Sequence, residues 1–492
     1  MFRFEVFEED HLLKFLWQGL LDEYIEDLFL RWDLFSPKIQ FELIHYVKTR
    51  LKDVISPKII ARALNIKNSD AQKILTAKEK IFEVLLVEKE VEKAKISVKP
   101  YKGLAIPETS KIITNLPELR SPLLTIKKFL GTSFAVFFET YFTGKSFMLP
   151  LAVALSIAKI PEDLRFTGAL NSKGDLLEVD HIKEKLNYTK QNNLRLITPL
   201  QVKHFNAIKT YLENDRWDIP FYVTSSGKEE FNMFLNSYTG TKVLAEFEIL
   251  KGLELFYNLQ EDNFYIITGQ LNSKEDWEKT CKTFAEKIDR IKTCLPGIKT
   301  YHLGLRGPVS LGFAFGVLFS HFDPFVFYHY QTIEGETKYH PIKVEEPRFF
   351  KERLKVYQYL KPSFEKKGED LVIVLNFSHH EPTADVKKYV SSILREPSFL
   401  ILETEFKGNL PIETFREVAK EAASFIQDVR EKYSFNSYHF FFSCPVVVAF
   451  MIGLAFGHYV DGQIYNFQKG ENLYQPVIDF KFLRKIREKR SD

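Results

Sequence analysis

A serine and two later lysines are the residues of this chain whose types and spacing best suit covalent chemistry. Ser146 opens the apolar run FMLPLAVALSIA, and a KEK segment further along contains Lys183 and Lys185. A hydroxyl is a weak nucleophile, so acyl transfer needs a base beside it, and a lysine serves only if burial lowers its pKa. Lys185 has apolar neighbours in Ile182 and Leu186. The pattern points to a Ser-Lys peptidase, while a helix cap and a solvent-exposed lysine face are the plain structural alternatives.

Local patterns predict the elements that position these residues. The run after Ser146 has helical length, and its early Pro150 suits a first helical turn, so Ser146 is placed at a helix N-terminus. Backbone N–H groups at such a terminus suit an oxyanion. Further along, alternating apolar residues around the turn Asn171 to Gly174 predict a hairpin. The remaining predictions are a helix over 182–190 and a strand over 194–199.

Two segments resemble the catalytic segments of the Lon protease domain. GKSFMLPLAVALS is similar to the Lon serine segment, and FTGALNSKGDLLEVDHIKEKLNYTKQNNLRLITP is similar to its lysine segment. The resemblance covers roughly Leu123 to Val223, about a fifth of the chain. It implies a serine endopeptidase in which Ser146 is the nucleophile and Lys185 the base, with Lys183 as the fallback.

Three positions depart from the Lon pattern. Lys145 stands where the family has an acid, Phe147-Met148 replaces small residues, and Asp180-His181 replaces a Gly-Gly pair. Bulky side chains beside the nucleophile are expected to narrow the substrate cleft or to cover it at rest.

The GKS segment is not a phosphate-binding loop. That motif requires a glycine five positions before Gly144, where this chain has Glu139, and no other segment supplies GxxxxGK[ST]. The ATP-driven unfolding ring of housekeeping Lon proteases is therefore not predicted. The expected enzyme is ATP-independent and selects substrates by recognition.

The second half of the chain contains an internal repeat. Residues 299–330 align without gaps on residues 436–467, at a constant offset of 137 residues. The pattern indicates a duplicated structural unit. Identical pairs include Tyr301/Tyr438, His302/His439, Pro308/Pro445, Val309/Val446, Gly316/Gly453, Phe319/Phe456, His321/His458 and Tyr328/Tyr465.

Each copy reads as a strand, a sharp turn, an apolar helix and two further strands. Strand patterns at 264–271, 370–377 and 398–406 precede the copies and alternate with amphipathic helices, which predicts doubly wound α/β sheets. Ligands of such sheets bind beyond the carboxyl ends of the strands, at helix N-termini that favour anions. Two packed lobes without a ligand remain the alternative. The candidate ligand residues at these ends are Gly269, Gln270, Arg306, Gly307, Ser310, Ser378, His379, Thr383, Ser443 and Pro445.

The order of the repeated motifs, from about residue 241 to the C-terminus, resembles the SAVED sensor domain. That domain is a fused pair of CARF-type units that bind cyclic oligoadenylates in CRISPR defence. The resemblance implies a cyclic oligoadenylate activator, cyclic tetra-adenylate above all, and self-association on ligand binding. One negative charge per linkage suits Arg306 and the helix starts, and adenines stack on aromatic side chains.

The order of the two resemblances, Lon-like and then SAVED, is similar to that of the CRISPR-associated Lon proteases. It implies allosteric activation of the peptidase in type III CRISPR antiviral signalling. It also implies a protein substrate that is encoded nearby and linked to a sigma-factor-like regulator.

Composition sets further bounds. The net charge of +3 argues against a general nucleic-acid binder, so no direct DNA contact is expected. Cys281, Cys294 and Cys444 lack metal-ligand or redox spacing, as expected for a reducing cytoplasm. The uncharged stretch 440–457 contains Pro445 and two glycines and is predicted to be a buried strand and helix, not a membrane span. A cytoplasmic protein without metal, cofactor or membrane contact is expected.

The predicted fold class is multidomain α/β. An α+β protease domain over 101–230 follows a helical N-terminal region over 1–100, with a proline-containing linker over 99–122. A SAVED domain over 241–492 consists of two fused doubly wound CARF-like units, about 241–345 and 368–480. The helical region is hypothesised to dock substrate or to cover the active site at rest.

Two other functions compete with the protease. In the first, the Lon-like fold is catalytically inert and the chain is a SAVED sensor or scaffold that assembles on a cyclic nucleotide. The second, a nuclease, lacks an acid-His-Lys metal constellation in the first 240 residues.

Overall fold

The computed structural model describes residues 8–90, 95–333, 336–406, 410–468, 470 and 473–489. The chain divides into two compact units. The first contains Met1–Glu213 with Leu244–Glu246, and the second contains Asn214–Val243 and Phe247–Asp492. The division at residue 214 corrects the predicted boundary at 230–241, because the strand that follows residue 214 belongs to the sheet of the second unit.

A cluster of short helices opens the first unit. Ser36 caps one of them by accepting a hydrogen bond from the Ile39 N–H, and a proline at the first helical position follows each of Ser36 and Ser56. Their apolar side chains form one core with the sheet described next. The helices are α1 Glu9–Trp17, α2 Ile25–Leu30, α3 Pro37–Arg50, α4 Pro57–Ala63 and α5 Asn68–Thr76.

A four-stranded sheet follows, so the predicted helical region ends at Thr76 and not at residue 100. The predicted linker over 99–122 is wrong, since residues 104–106 are buried in the second strand. Pro100 is tolerated because this part of the strand pairs only with the edge strand, and pairing on the other side begins at Gly103. The strands are β1 Lys80–Glu90, β2 Lys95–Pro107, β3 Ile113–Thr114 and β4 Phe134–Phe138, in the order β1-β2-β4-β3.

Successive side chains of β4 face opposite sides of this sheet. Phe137 contacts Trp32 in the helical cluster at 6.0 Å between ring centroids, whereas Phe138 contacts Phe147 on the other side at 5.4 Å. The helical cluster therefore covers the face opposite the residues around Ser146. The rest of the unit contains α6 Arg120–Leu130, α7 Met148–Ser156, β5 Leu164–Phe166, β6 Ala169–Leu170, β7 Leu176–Leu177, α8 Ile182–Gln191, β8 Arg195–Ile197 and α9 Phe205–Glu213.

The second unit consists of two mixed sheets with similar strand orders. The first has the order β12-β9-β13-β14-β15 and the second the order β16-β18-β17-β19-β20-β21. The elements up to the end of the first sheet are β9 Arg216–Thr224, α10 Lys228–Ser237, β10 Val243–Leu244, β11 Phe247–Glu248, α11 Ile249–Tyr257, β12 Tyr265–Ile267, α12 Lys274–Cys294, β13 Ile298–Arg306, α13 Val309–Leu318, β14 Phe325–Ile333 and β15 Glu336–Val344.

The second sheet repeats this succession of elements. Its elements are β16 Leu360–Glu365, β17 Asp370–Asn376, α14 Thr383–Val390, β18 Ser398–Thr404, α15 Phe415–Lys432, β19 Ser437–Ser443, α16 Val446–Phe456, β20 Gly462–Gln468, β21 Leu473–Asp479 and α17 Phe480–Glu488.

The duplication is visible in the strand pairing. β13 pairs in parallel with β9 and β14, as β19 pairs with β17 and β20. The counterpart of β17 is therefore β9, which the sequence analysis had placed in the protease domain. The first repeat begins near residue 214 and not near 241.

The duplicated glycines hold the two repeats together. A Cβ on Gly316 would lie 2.0 Å from the Phe450 carbonyl oxygen, and one on Gly453 would lie 2.2 Å from that of Phe313. Because Phe313 and Phe450 are themselves counterparts in the repeat, the crossing of α13 and α16 is symmetric. Only glycine permits so close a backbone approach.

The uncharged stretch around Pro445 forms β19 and α16, as predicted. Among the described residues, every helix is too short or too polar to span a bilayer.

Candidate functional sites

Ser146 and Lys185 line the same cavity of the first unit, which has a volume of about 880 Å³. Ser146 lies in the turn before α7, because the helix begins at Met148, two residues after the serine. Lys185 lies in the first turn of α8. Lys183 is exposed and does not line this cavity. The two lysines of the KEK segment therefore have different surroundings, and Lys185 is the one that lines the cavity with Ser146.

Burial gives Lys185 the character of a base. Its side chain is 3% exposed, and the ammonium nitrogen Nζ donates a hydrogen bond to Thr167 Oγ1 at 3.1 Å. Desolvation lowers the pKa of Lys185 to about 8, against the opposing attraction of Asp180 and Glu184. The neutral amine is therefore reached at a lower pH than in an ordinary lysine.

Backbone hydrogen bonds tie the serine turn to the segment that holds Lys185. The Gly168 N–H donates to the Ser146 carbonyl at 3.2 Å, and the Leu149 N–H donates to the Gly168 carbonyl at 3.1 Å. Gly168 passes so close to Pro199 that a Cβ would lie 2.9 Å from the Pro199 Cγ. Since Thr167 precedes Gly168, the nucleophile and the base are positioned by adjacent residues.

The hydroxyl and the amine are not hydrogen-bonded to each other. Within the part of the chain that the structure describes, Thr167 is the recorded partner of the Lys185 amine, and Ser146 Oγ has no hydrogen-bond partner. The Phe147 N–H, next to the serine, also has no acceptor among those residues. Because Phe147 is buried and does not line the cavity, this amide does not face the cavity as an oxyanion donor would.

The bulky residues after the serine do not narrow the cavity, contrary to expectation. Phe147 and Met148 are 0% and 1% exposed and are absent from the cavity lining. Phe147 packs against Phe138 and Phe142, with ring centroids 5.4 and 5.5 Å apart. Helices α1 to α5 contribute no residue to the lining, whereas residues 85–88, which the sequence analysis includes in the N-terminal region, do line the cavity.

The other two departures from the Lon pattern lie at the cavity surface. Lys145 is exposed and lines the cavity. His181 adopts the left-handed conformation with φ of 61°, which glycine adopts without strain, and its Nδ1 lies 3.2 Å from Glu184 Oε1. The left-handed backbone at His181 is a conformational reason for the Gly-Gly pair that the Lon pattern has at residues 180–181.

In the second unit, the predicted ligand residues of the first repeat follow β12 and β13, whose carboxyl ends lie on either side of that of β9. Arg306 is paired with Glu230 and lies over the Tyr330 ring, 5.1 Å from its centroid. Glu230 also accepts a hydrogen bond from Thr224 Oγ1, so the arginine charge is locally balanced. Gly307 follows directly in the turn before α13.

The remaining residues of this repeat have different surroundings. Gly269 and Gln270 lie in the exposed loop after β12, where Gly269 has a φ of 62°. Ser310 is 2% exposed and donates to the Tyr465 carbonyl at 2.8 Å. The structure therefore gives the Ser310 hydroxyl a role in joining the two repeats.

The corresponding ends in the second repeat carry hydroxyl groups. Ser443 Oγ donates its hydrogen bond to the His380 carbonyl. Ser378 Oγ is therefore the donor in the 2.7 Å hydrogen bond between the Ser378 and Ser443 hydroxyls. Thr383 begins α14, and its Oγ1 is buried without a partner among the described residues. His379 is exposed beside this group, and Pro445 precedes α16 as its N-cap residue.

Sequence reasoning missed the loop after β9. Ser225 and Ser226 are exposed and precede Gly227, the N-cap residue of α10, and the strand pairing makes Ser226 the counterpart of Ser378 in the second repeat. The sequence signal for this loop is Ser-Ser-Gly directly after the apolar strand pattern WDIPFYVT. The sequence analysis places that strand in the protease domain and therefore gives the loop no ligand role.

Residues 258–343 and 350–480 match the family model of the "SMODS-associated and fused to various effectors sensor domain", SAVED. The second unit is similar to SAVED sensor domains. All ten predicted ligand residues lie within the matched residues, which together make up less than half of the chain, whereas β9 and the Ser225-Ser226 loop lie outside them. A comparison with curated proteins returns no match.

Part of the chain is similar to solved structures of SAVED/CARF-domain containing receptors. Acinetobacter baumannii Cap4 with the cyclic trinucleotide 2'3'3'-cAAA is 17% identical over 42% of this chain and 44% of that chain, with a TM-score of 0.35. The same receptor with 3'3'3'-cAAA gives a TM-score of 0.34 at the same identity and coverage. Moraxella osloensis Cap4 is 16% identical over 54% of this chain and 50% of that chain, with a TM-score of 0.29. The chain thus spans half or less of these receptors.

The SAVED-like unit and the serine cavity share one negative feature. Among the described residues, no group of three or more His, Cys, Asp or Glu side chains is placed to hold a metal ion.

Proposed function

We propose that the chain is a cyclic oligoadenylate-activated Ser-Lys endopeptidase. The observation that carries the peptidase half is the buried Lys185, whose pKa is lowered to about 8 and which shares a cavity with Ser146. In this mechanism neutral Lys185 takes the Ser146 proton as the hydroxyl attacks the scissile carbonyl. It then returns the proton to the leaving amine, and the acyl-enzyme is hydrolysed by water.

The cavity suits a peptide substrate. Its wall includes residues 85–88 of β1, and β1 is an edge strand with one unpaired side. An extended peptide can add to such an edge through backbone hydrogen bonds. This arrangement supports an endopeptidase that holds a segment of another protein next to Ser146.

The sensor half rests on the SAVED match and on the strand-end loops. We infer that a cyclic oligoadenylate, cyclic tetra-adenylate in particular, binds over the carboxyl ends of the central strands. Arg306 supplies a guanidinium for phosphate, and the Ser378, Ser443 and Thr383 hydroxyls supply polar contacts from the second repeat. Ligand-induced self-association then activates the peptidase in the cytoplasm, as part of type III CRISPR antiviral signalling.

The deciding experiment combines both halves. Proteins encoded beside this gene, including any linked to a sigma-factor-like regulator, are incubated with the chain with and without cyclic tetra-adenylate. We expect cleavage of one such protein only with the ligand, and none by Ser146→Ala. Cleavage by Ser146→Ala at the wild-type rate would exclude Ser146 as the nucleophile.

An inert sensor or scaffold is the second candidate, and one observation favours it. The Lys185 amine contacts Thr167 and not Ser146, so the resting site lacks the hydrogen bond that activates the serine. The scaffold predicts tight binding of cyclic tetra-adenylate and assembly without cleavage of any neighbouring protein. The protease predicts a shift of Lys185 toward Ser146 when the ligand is bound.

A further inference from the structure

The edge strand β1 borders a second cavity besides the one that contains Ser146. Residues 85–88 line the serine cavity, and residues 81–83 line a cavity of about 240 Å³ further along the same strand. The centres of the two stretches are separated by four to five residues, which span roughly 15 Å of extended chain. One extended peptide can therefore reach both cavities. The second cavity is called the distal groove below.

The outer side of β1 is unpaired next to both cavities. β2 pairs with β1 from Lys80 to Glu90, and among the described residues no other backbone group is hydrogen-bonded to this strand. Because successive side chains point to opposite faces, the three consecutive residues that line the distal groove reach it from both faces of the strand. A peptide that adds to this edge in the serine cavity would continue past the distal groove.

The distal groove is lined mainly by apolar side chains. Its two carboxylates and two cations balance in charge, and Glu83 and Arg165 among them already form an ion pair at 2.6 Å. Ile81 is 48% exposed, although edge strands are commonly protected by charged side chains. An apolar side chain suits these surroundings better than a charged one. The apolar lining includes Ile81, Pro150, Val153, Ile160, Leu164 and Phe166.

Helix α7 connects the distal groove to the serine. Ser146 lies in the turn before α7, and Pro150 and Val153 of the same helix line the groove. Val153 is fully buried, and the helix advances about 7.5 Å from Met148 to Val153. The spacing between the serine and the groove is therefore set by a single packed helix.

We propose that the distal groove is a subsite of the peptidase, which binds an apolar side chain of the substrate about five residues from the scissile bond. This inference rests on the proposed peptidase function. The occupant is the substrate itself, because the groove continues the strand edge that passes Ser146. A buried leucine-sized side chain strengthens binding by about tenfold or more, so this subsite would contribute to the selection of substrates by recognition.

The test is digestion of a proteome-derived peptide library by the full chain with cyclic tetra-adenylate, with the cleaved bonds mapped by mass spectrometry. We expect Leu, Ile, Val and Phe to be enriched at one position, about five residues from the cleaved bond. Ile81→Ser and Ile160→Ser should each lose this enrichment and lower kcat/KM for the enriched peptides about tenfold. Ile96→Ser is the matched control, since Ile96 is 47% exposed in β2 of the same sheet and lines neither cavity.

Failure of the subsite differs from failure of the peptidase. Cleavage without an enriched apolar position, or with the same enrichment in Ile81→Ser, Ile160→Ser and the wild type, would overturn the subsite alone. An equal loss in Ile96→Ser would do the same. No cleavage by the wild type, or equal cleavage by Ser146→Ala, would overturn the peptidase and the subsite with it. Melting curves that match the wild type show that the variants fold.

Discussion

The two candidate sites hold their charged groups in opposite ways. Lys185 is 3% exposed, and desolvation makes its charge unfavourable. The Arg306 side chain is 48% exposed and is paired with Glu230. The first amine is held by packing inside one unit, whereas the second cation is balanced at a surface of the other.

If the proposed function is correct, this difference separates a site for chemistry from a site for ligand exchange. A desolvated amine loses its proton at a lower pH than an ordinary lysine, and it needs no ligand to do so. The Arg306 side of the ion pair is about half exposed, although Glu230 is mostly buried, so an incoming anion can reach the guanidinium from solvent. We therefore expect changes at Lys185 to act mainly on rate and changes at Arg306 to act mainly on affinity.

The largest expected effect is that of Lys185→Met. Loss of the base should lower kcat by about a thousandfold or more, while binding of cyclic tetra-adenylate is unchanged. The measurement is ligand-dependent cleavage at saturating substrate, together with ligand titration of the same variant.

The matched control for this change is Lys183→Met, two residues away and exposed. Because Lys183 does not line the cavity, its loss should alter kcat by less than about twofold, as for a surface substitution. Equal losses in the two variants would contradict the assignment of Lys185 as the base.

The second prediction concerns the second unit and tests the close packing of α13 against α16. Gly316→Ala places a methyl group 2.0 Å from the Phe450 carbonyl and should destabilise the second unit by about 3 kcal/mol, despite the better helix propensity of alanine. Urea unfolding followed by far-ultraviolet circular dichroism measures the loss.

Gly307→Ala is the control for this overpacking, since the nearest atom to its added Cβ lies at 3.5 Å. We expect its unfolding midpoint to stay near the wild-type value. A stable Gly316→Ala protein would show that α13 and α16 do not need their close approach.

The sequence was sufficient wherever a local pattern determines the outcome. The hairpin around the turn Asn171 to Gly174 and the helix from Ile182 formed as predicted, because turn residues and apolar periodicity specify them locally. The duplication was likewise readable, because side chains such as Gly316 and Gly453 meet the same constraint in both repeats.

The sequence was insufficient wherever distant residues decide. The strand WDIPFYVT carries no mark of its sheet, so β9 was assigned to the protease domain although it pairs with β13. Arg306 was recognised as a cation, but its partner Glu230 lies 76 residues away. The sequence analysis assigns Ser310 to the ligand site. It has no local signal for the hydrogen bond that Ser310 donates to the Tyr465 carbonyl, 155 residues away.

The third prediction concerns the residue that holds the base. Thr167→Val removes the hydroxyl that accepts the Lys185 hydrogen bond and should lower kcat about tenfold, whereas Thr167→Ser should keep most of the activity. Wild-type kcat/KM should rise as pH increases through about 8, because the base acts only after Lys185 loses its proton.

The pH profile distinguishes a positioning role from a structural one. A Thr167→Val protein that loses stability but keeps the wild-type rate and profile would show that the hydroxyl serves packing alone. A falling rate between pH 7 and pH 8.5 in the wild type would contradict neutral Lys185 as the base.

The smallest expected effect lies at the exposed ion pair. Glu230→Gln removes the carboxylate that balances Arg306, so the guanidinium becomes available to phosphate and cyclic tetra-adenylate should bind about threefold more tightly. Arg306→Gln should weaken binding instead.

Glu229→Gln, the exposed neighbour of Glu230, is the control for a general change in charge. If Glu230→Gln and Glu229→Gln tighten binding equally, the effect comes from net charge and Arg306 does not exchange partners. If Glu230→Gln weakens binding, the carboxylate holds Arg306 in its binding position, and the contrast with Lys185 becomes one of exposure alone.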